Sequence, residues 1–336
     1  MRFALIYLVL GVFAAGMALG GLGPLLVPAV VFGLIPVADG WSGLDTGDPP
    51  GRRWLHDALL RLWVPLQLAA IAATVVYARS APAGSALLAA VALGICTGAG
   101  GITIAHELIH RKSKLDRALG EVLMTSVSYP WFCVEHVLGH HRWVATPRDP
   151  ATSRLGESVY TFVPRSIVGG LVSFLAIERD YAGRRGIRWW SLRDRRTRYA
   201  VTTAATWAVI TGVGGPTAAG VFAVQAVVAV VLLEVINYIE HYGLLRPTNA
   251  AGEVVRVGPE HSWNSNHALT AAFLFNLPRH ADHHAYASRP FDELRAWPDA
   301  PELPAGYATM VMVALIPPLW FRTMDERVAR TRAATA

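Results

Sequence analysis

Two long uncharged stretches dominate the hydrophobic pattern of the chain. The first covers residues 3–38 and is broken by glycine and proline at 20–24, and the second, 199–233, is broken in the same way at 212–216. A helix needs about 20 apolar residues to cross a hydrocarbon core of about 30 Å. The pattern therefore predicts two helical hairpins, with transmembrane spans at 3–19, 25–38, 199–211 and 217–236.

Two further apolar runs, at 62–78 and 84–105, complete a predicted set of six spans. Residues 160–177 place a proline and an arginine before an apolar stretch, which favours a helix lying along the membrane surface. Residues 303–321 are interrupted by prolines and favour an interfacial or buried helix. A cleaved signal peptide at 3–19 is the weaker reading, because a second apolar stretch follows without polar mature sequence between them.

Composition and charge agree with a membrane protein. Apolar residues make up 53% of the chain and charged residues 16%, against about 25% charged residues in an average soluble domain. With the amino terminus inside, only Arg79 of the 30 lysines and arginines falls in a predicted outer loop, which is the positive-inside pattern. The net charge of +6 is therefore a topology signal and not a sign of nucleic-acid binding. We predict a single all-α membrane domain, residues 1–336, with six transmembrane helices and a cytoplasmic histidine-rich helical cap formed by 106–198 and 237–336.

Histidines carry the candidate chemistry. The two cysteines, Cys96 and Cys133, are too few for a disulfide framework or a cysteine-rich metal site, so a metal must be held by histidine or carboxylate. Nine of the twelve histidines fall into four short groups that the predicted topology places on one side of the membrane. Nine imidazoles suit two metal ions, and imidazole alone does not separate iron, zinc, copper and nickel. The groups are HELIH at 106–110, EHVLGHH at 135–141, NYIEHYG at 237–243 and RHADHHA at 279–285.

Two other functions fit these histidines less well. A zinc protease would use HELIH with Glu107 as general base, but it would leave the other clustered histidines without a role. A metal-ion transporter or binder would place ionisable ligands inside the spans, whereas the predicted spans contain no histidine. His56 is assigned no role, and His261 and His267 either line the site or form structural hydrogen bonds. Nearby carboxylates orient ligand rings or bind metal directly, and the spacing does not separate these roles; they are Glu107, Glu135, Asp149, Glu240 and Asp282.

The long motifs narrow the family. The HxxxH, HxxxHH and HxxHH spacing resembles the integral-membrane di-iron superfamily of fatty-acid desaturases and hydroxylases. NYIEHYG, the segment EHSWNS at 260–265 and RHADHHA resemble the bacterial alkane 1-monooxygenase family, which includes xylene-type methyl hydroxylases. The resemblance implies two irons on the cytoplasmic side of a six-helix bundle. By position, the implied ligands are His106, His110, His136, His140, His141, His241, His280, His283 and His284.

The resemblance also implies a reaction. Iron and O2 would hydroxylate the terminal carbon of an alkane that enters from the lipid of the bacterial inner membrane. Alternatives are an aromatic methyl substrate or a fatty-acyl hydroxylase or desaturase. Two departures from the family pattern bear on the substrate: Pro278 stands where the family usually has glutamine, and the amino-terminal region looks short.

Electrons must come from another protein. The chain has no GxGxxG fingerprint after a strand and no paired CxxC motifs, so the resemblance implies a separate iron–sulfur donor, rubredoxin, with its reductase. Eight arginines lie between Arg179 and Arg198. This basic stretch is either a docking face for an acidic donor or an anchor to anionic lipid headgroups.

Overall fold

The computed structural model describes residues 2–47 and 53–335, and in these residues regular structure is almost entirely helical, with only isolated β-bridges besides. Twelve helical segments organise the described chain. Four of them belong to the first third of the chain: α1 (Arg2–Leu19), α2 (Gly23–Ser42), α3 (Arg53–Ala78) and α4 (Ala83–His110). The others are α5 (Lys114–Ser126), α6 (132–143), α7 (Val159–Arg184), α8 (Arg195–His241), α9 (Ala268–Phe273), α10 (His280–Ala285), α11 (Tyr307–Ala314) and α12 (Pro317–Thr335).

The first predicted hairpin is formed by α1 and α2. Gly20 ends α1 with a φ of 65°, a conformation that side chains other than glycine rarely adopt. The two helices then approach so closely that a Cβ on Gly16 would lie 2.6 Å from the carbonyl oxygen of Gly23. The glycine and proline run at 20–24 therefore turns the chain back on itself, as its composition predicts.

The second predicted hairpin lies within α8. Gly215 has a φ of 71° and a ψ of −170°, which interrupts the helix between two arms, 195–214 and 216–241. The rings of Trp207 and Phe222 have centroids 5.0 Å apart although they are fifteen positions apart in the chain. A continuous helix would separate these residues by about 22 Å. The chain therefore reverses at Gly215, and the two arms pack against each other.

Six helices are long and apolar enough to cross a membrane: α1, α2, α3, α4, α7 and α8. This set differs from the predicted one in two respects. The broken helix α8 counts once although it holds both predicted spans 199–211 and 217–236. The 26-residue α7 covers 160–177 and has the length and composition of a span, so its lying along the membrane surface stays a prediction.

Small residues let α4 pack tightly on its neighbours. A Cβ on Gly94 would lie 2.6 Å from the Val228 side chain in the second arm of α8, and one on Gly101 would lie 2.0 Å from the Gln67 side chain in α3. Gln67 also accepts a hydrogen bond from Trp63 and donates one to Ser126 of α5, each at 2.8 Å. This packing fixes the end of α4, which carries the first histidine motif.

The carboxy-terminal stretch 303–321 is divided between two helices. α11 buries Tyr307, Met310 and Val311 against the second arm of α8, and α12 begins at Pro317 and buries Trp320. The buried alternative predicted for this stretch therefore describes α11.

Candidate metal centre

The nine histidines of the four motifs lie in two adjacent clusters. Within each cluster, one ring nitrogen from every member lies within 4.8 Å of the others. The first cluster has five members and the second has four. The first contains His106, His110, His136, His141 and His283, and the second contains His140, His241, His280 and His284.

Helix α4 supplies two members of the first cluster. His106 and His110 are four residues apart at the carboxyl end of the helix, so their rings project from one face, with centroids 5.2 Å apart. The ring of His106 lies 4.3 Å from that of His136 and 4.6 Å from that of His283. The spacing of HELIH therefore places both rings in one site, as predicted.

The second motif is divided between the clusters. Residues 136–140 form a π-helical turn inside α6, in which residues five apart share a face. His136 and His141 therefore face each other, with their Nε2 atoms 3.0 Å apart. His140 points to the second cluster, where its Nε2 lies 3.2 Å from the Nε2 of His284. The rings of His136 and His140 still stack, with centroids 5.1 Å apart, but their nitrogens belong to different clusters.

The last two motifs complete the second cluster. His241 ends α8, and its Nε2 lies 3.2 Å from the Nε2 of His280 on α10. One helical turn later, the Nε2 of His284 lies 2.9 Å from that of His280. His283, between them, turns to the first cluster. Helix α10 begins at His280, two residues after Pro278, so this proline precedes the helix without interrupting it.

The clusters have the chemistry of metal sites. Nitrogen ligands about 2.1 Å from a metal and at right angles to each other lie about 3 Å apart, which matches the Nε2 separations of 2.9 to 3.2 Å in the second cluster. The Nε2 atoms of His106, His110 and His283 are buried and have no hydrogen-bond partner in the described residues. Buried nitrogen lone pairs that converge in this way are satisfied by a metal ion.

Burial keeps most of these rings neutral. Burial, with the charges of neighbouring imidazoles, lowers the pKa of the rings outside the candidate spans well below the ordinary 6.5; they are His136, His141, His280, His283 and His284. Burial also opposes the charge on His140, but Asp149 reverses the effect, and the pKa of His140 is raised. Neutral imidazole is the form that binds metal.

The five candidate carboxylates have different surroundings. Asp149 accepts a hydrogen bond from the Nδ1 of His140 at 2.9 Å, so it orients a cluster ring. Asp282 faces Arg289 and Trp297, away from the clusters, and Glu107 pairs with Arg111.

The other two carboxylates lie near the rings. Glu240 has one oxygen 3.2 Å from the Nε2 of His280, and its second oxygen accepts a hydrogen bond of 2.7 Å from Tyr307. Glu135 lies beside a small polar cavity, and burial raises its pKa to about 7. The sequence does not reveal the role of Tyr307, because this residue lies 67 positions from Glu240 and outside all four motifs.

The remaining histidines lie outside both clusters. The Nδ1 of His56 is 2.8 Å from Asp292, and the Nδ1 of His261 accepts a hydrogen bond from the backbone of Gly258. His267 contacts the Ser265 hydroxyl. These partners support the structural alternative for His261 and His267.

An apolar cavity of about 120 Å³ ends at the histidines. It lies between α1, α2, α4, the second arm of α8 and α11. Its polar end is lined by His106, His136, Asn237, Glu240, His280 and Tyr307, and its apolar lining includes Ile6, Val9, Val31, Phe32 and Ile35 of α1 and α2.

Comparison with known proteins defines the class. Residues 82–314 match the family model described as fatty acid desaturase. This match covers all four histidine motifs and more than half of the chain. The chain therefore belongs to the fatty acid desaturase family, which confirms the superfamily that the motif spacing indicates.

Individual relatives indicate the activity more narrowly than the family model does. The chain is 40% identical over 322 residues to an alkane 1-monooxygenase of Acinetobacter baylyi, covering 93% of this chain and 77% of that protein. It is 38% identical over 316 residues to alkane 1-monooxygenase 2 of Pseudomonas aeruginosa, covering 91% and 84%. It is 29% identical over 236 residues to the xylene/toluene monooxygenase hydroxylase component XylM of Pseudomonas putida, covering 68% and 62%.

These findings establish an oxygenase. The relatives and the six apolar helices make the chain a multi-pass membrane enzyme of the alkane 1-monooxygenase type. The family implies non-haem iron, and the two histidine clusters suit it. The relatives also imply an electron-transfer partner and a lipophilic substrate.

Proposed function

We propose that the protein is a non-haem di-iron monooxygenase that converts alkanes to 1-alcohols with O2 and electrons from rubredoxin. The observation that carries the proposal is the pair of adjacent histidine clusters at the end of an apolar cavity. Five nitrogens in one cluster and four in the other provide ligands for one iron each, and the nine implied histidines are the proposed ligands. The proposed location is the bacterial inner membrane, with the clusters on the cytoplasmic side.

The cavity accounts for the substrate. Its walls are mostly aliphatic and aromatic, so an alkyl chain replaces water there at no polar cost. Part of its apolar lining comes from α1 and α2, which have the length and composition of membrane spans, so an alkane would enter from the lipid beside them. The chain end that reaches the histidines is then the carbon presented for reaction.

The clusters account for the chemistry. Iron bound there would supply the activation of O2 and the removal of a hydrogen atom from an unactivated C–H bond. One oxygen atom enters the alcohol and the other leaves as water, which consumes two electrons and two protons per turnover. The protein holds the ligand rings neutral, excludes water from the cavity and aligns the substrate. Tyr307 holds the Glu240 carboxylate at the polar end of the cavity.

Two substitutions test the ligands, one in each cluster. His140→Ala and His283→Ala should each lower bound iron below two ions per chain and abolish the formation of 1-dodecanol from dodecane. Iron is measured by mass spectrometry and the alcohol by gas chromatography under labelled O2. His267→Ala, outside the clusters, is the control and should keep both iron and product. Full activity in either cluster variant would contradict the ligand assignment.

A second substrate class has an observation in its favour. The similarity to XylM favours an aromatic methyl group as an alternative substrate. Parallel reactions with dodecane, p-xylene and a fatty-acyl substrate distinguish the candidate activities. Each substrate gives a different alcohol when it is hydroxylated, and a desaturase gives an alkene. We expect dodecane to react fastest, since the alkane 1-monooxygenases are the more similar relatives.

A further inference from the structure

Two histidines bring the clusters to the protein surface. His110 and His141 of the first cluster are partly exposed, with ring centroids 4.6 Å apart. His106 is also partly exposed, but it lines the apolar cavity. The other six cluster rings are buried. An electron that enters from a separate protein therefore has its shortest route to the clusters through the surface next to His110 and His141.

A cationic aromatic patch covers this surface. Trp143 follows His141 by two residues, and the guanidinium groups of Arg142 and Arg148 lie 5.0 Å and 3.7 Å from the centre of its ring. Arg246 donates a hydrogen bond of 2.9 Å to the backbone carbonyl of Arg142. We call Arg142, Trp143, Arg148 and Arg246 the Trp143 patch. The stacking and the hydrogen bond hold its members in place before a partner binds.

The positive charge of the patch has no ion-pair partner in the described residues, although Asp149 attracts Arg246 electrostatically. In the part of the chain that the structure describes, no carboxylate lies within ion-pair distance of its three arginines. The nearby Asp149 is buried and turned inward to His140. Another exposed cation, Lys112, follows His110 by two residues.

The basic stretch from Arg179 to Arg198 is partly neutralised. Three of its arginines pair with carboxylates: Arg195 with Glu178, Arg196 with Asp194 and Arg198 with Glu121. The other five have no ion-pair partner in the described residues, and Trp189 and Trp190, which precede the three paired arginines, are exposed. The two tryptophans are 67% and 59% exposed, whereas Trp143 is only partly exposed. Largely exposed tryptophan beside arginine is typical of a membrane–water interface, so this stretch suits the lipid alternative better than the docking alternative.

We propose that the Trp143 patch is the docking surface for an acidic, one-electron iron–sulfur protein. The inference rests on the proposed function, because only an enzyme that consumes electrons needs such a surface. Each docking event would oxidise one donor molecule by one electron, which metal held by the two histidine clusters would accept. Two events per alcohol supply the electrons, and the two protons come from water. Arginine and tryptophan are the residue types that contribute most to binding at protein interfaces, and the unpaired positive charge steers an acidic partner to them.

Charge reversal at the patch tests the proposal. The full chain is held in nanodiscs of neutral phosphatidylcholine, and its affinity for an acidic rubredoxin is measured by biolayer interferometry at several salt concentrations. Arg142→Glu with Arg148→Glu should weaken the affinity about tenfold or more at low salt and flatten its salt dependence. Arg142→Gln with Arg148→Gln should give an intermediate loss. Iron content and thermal unfolding report whether each variant folds.

The rival basic stretch provides the matched control. Arg188→Glu with Arg193→Glu makes the same change in net charge and should leave the affinity within about twofold of the wild type. Equal losses in the two double variants, or unchanged affinity in Arg142→Glu with Arg148→Glu, would overturn the docking surface.

A separate measurement tests the underlying function. Wild-type protein reduced by dithionite and mixed with O2 and dodecane, without rubredoxin, should form 1-dodecanol. Absence of the alcohol in this reaction counts against the oxygenase proposal and leaves the binding result to be judged by itself.

Discussion

At the scale of single residues, the cluster rings differ in the hydrogen-bond partner of their Nδ1 atom. The Nδ1 of His140 is bound to Asp149 at 2.9 Å, and Thr152 donates to the same carboxylate at 2.6 Å. In the described residues, the Nδ1 atoms of His141, His241 and His284 have no partner. Asp149 therefore sets the tautomer of His140, which leaves the Nε2 of that ring free to bind metal.

Asp149→Asn should weaken metal binding at the second cluster. The amide no longer stabilises an Nδ1–H with a full negative charge, so we expect about 10- to 100-fold lower iron affinity, measured by competition with a chelator. Asp292→Asn is the matched control, because Asp292 makes the same buried contact with His56 at 2.8 Å outside the clusters. It should change thermal stability and leave iron affinity unchanged. Equal iron affinities in Asp149→Asn and the wild type would contradict this role.

At the scale of elements, two local departures from the α-helix shape the site. The π-helical turn at 136–140 sends His136 and His141 to one cluster and His140 to the other. A second π-helical segment, Thr97–Ile102, precedes the first motif in α4 and contains three glycines. Two of them, Gly100 and Gly101, lie against Trp63 and Gln67 of α3. The absence of side chains there lets α3 pack directly on the backbone that leads to His106.

Gly101→Ala should therefore destabilise the protein. The new Cβ would lie 2.0 Å from the Gln67 side chain, which must leave its hydrogen bonds to Trp63 and Ser126. We expect a loss of about 1–3 kcal/mol, seen as a lower midpoint of thermal unfolding in detergent. Gly84→Ala, near the start of the same helix, meets nothing within 4 Å and should change stability by about 0.5 kcal/mol or less. Equal midpoints for the two variants would contradict this account.

At the scale of the whole molecule, the site gathers residues that are far apart in the sequence. The rings come from the end of α4, from α6, from the end of α8 and from α10, which span 178 positions from His106 to His284. Many neutral imidazoles in one buried volume make folding sensitive to protons as well as to metal.

The metal-free protein should lose stability in acid. Burial lowers the pKa of His136, His141, His280, His283 and His284 in the folded state below their ordinary 6.5. The unfolded chain therefore binds more protons below that pH, and each such ring weakens folding by about 1.4 kcal/mol per pH unit. Stability is fully present above pH 6.5 and falls as the pH decreases further. Thermal unfolding between pH 8 and 5 checks this, and His283→Ala with His284→Ala should show a shallower dependence.

The sequence predicts the membrane fold and the grouping of the histidines well, because both depend on local patterns. Uncharged runs, glycine breaks and short histidine motifs lie within a few residues of each other. The division of the second motif between two clusters could not be predicted, since HxxxH has the period of an α-helix and the π-helical turn forms only in the packed protein. The pairing of Tyr307 with Glu240 likewise depends on how α11 packs against α8.

The walls of the cavity come from two segments of the chain. The histidines and much of the apolar lining belong to the segment shared with the desaturase family, whereas Ile6, Val9, Val31, Phe32 and Ile35 belong to the first forty residues, which precede that segment. An exchange of Val31 or Phe32 for a larger or smaller residue changes the space available to the substrate without replacing any of the nine cluster histidines. Substitutions in the hairpin of α1 and α2 can therefore change which hydrocarbon binds.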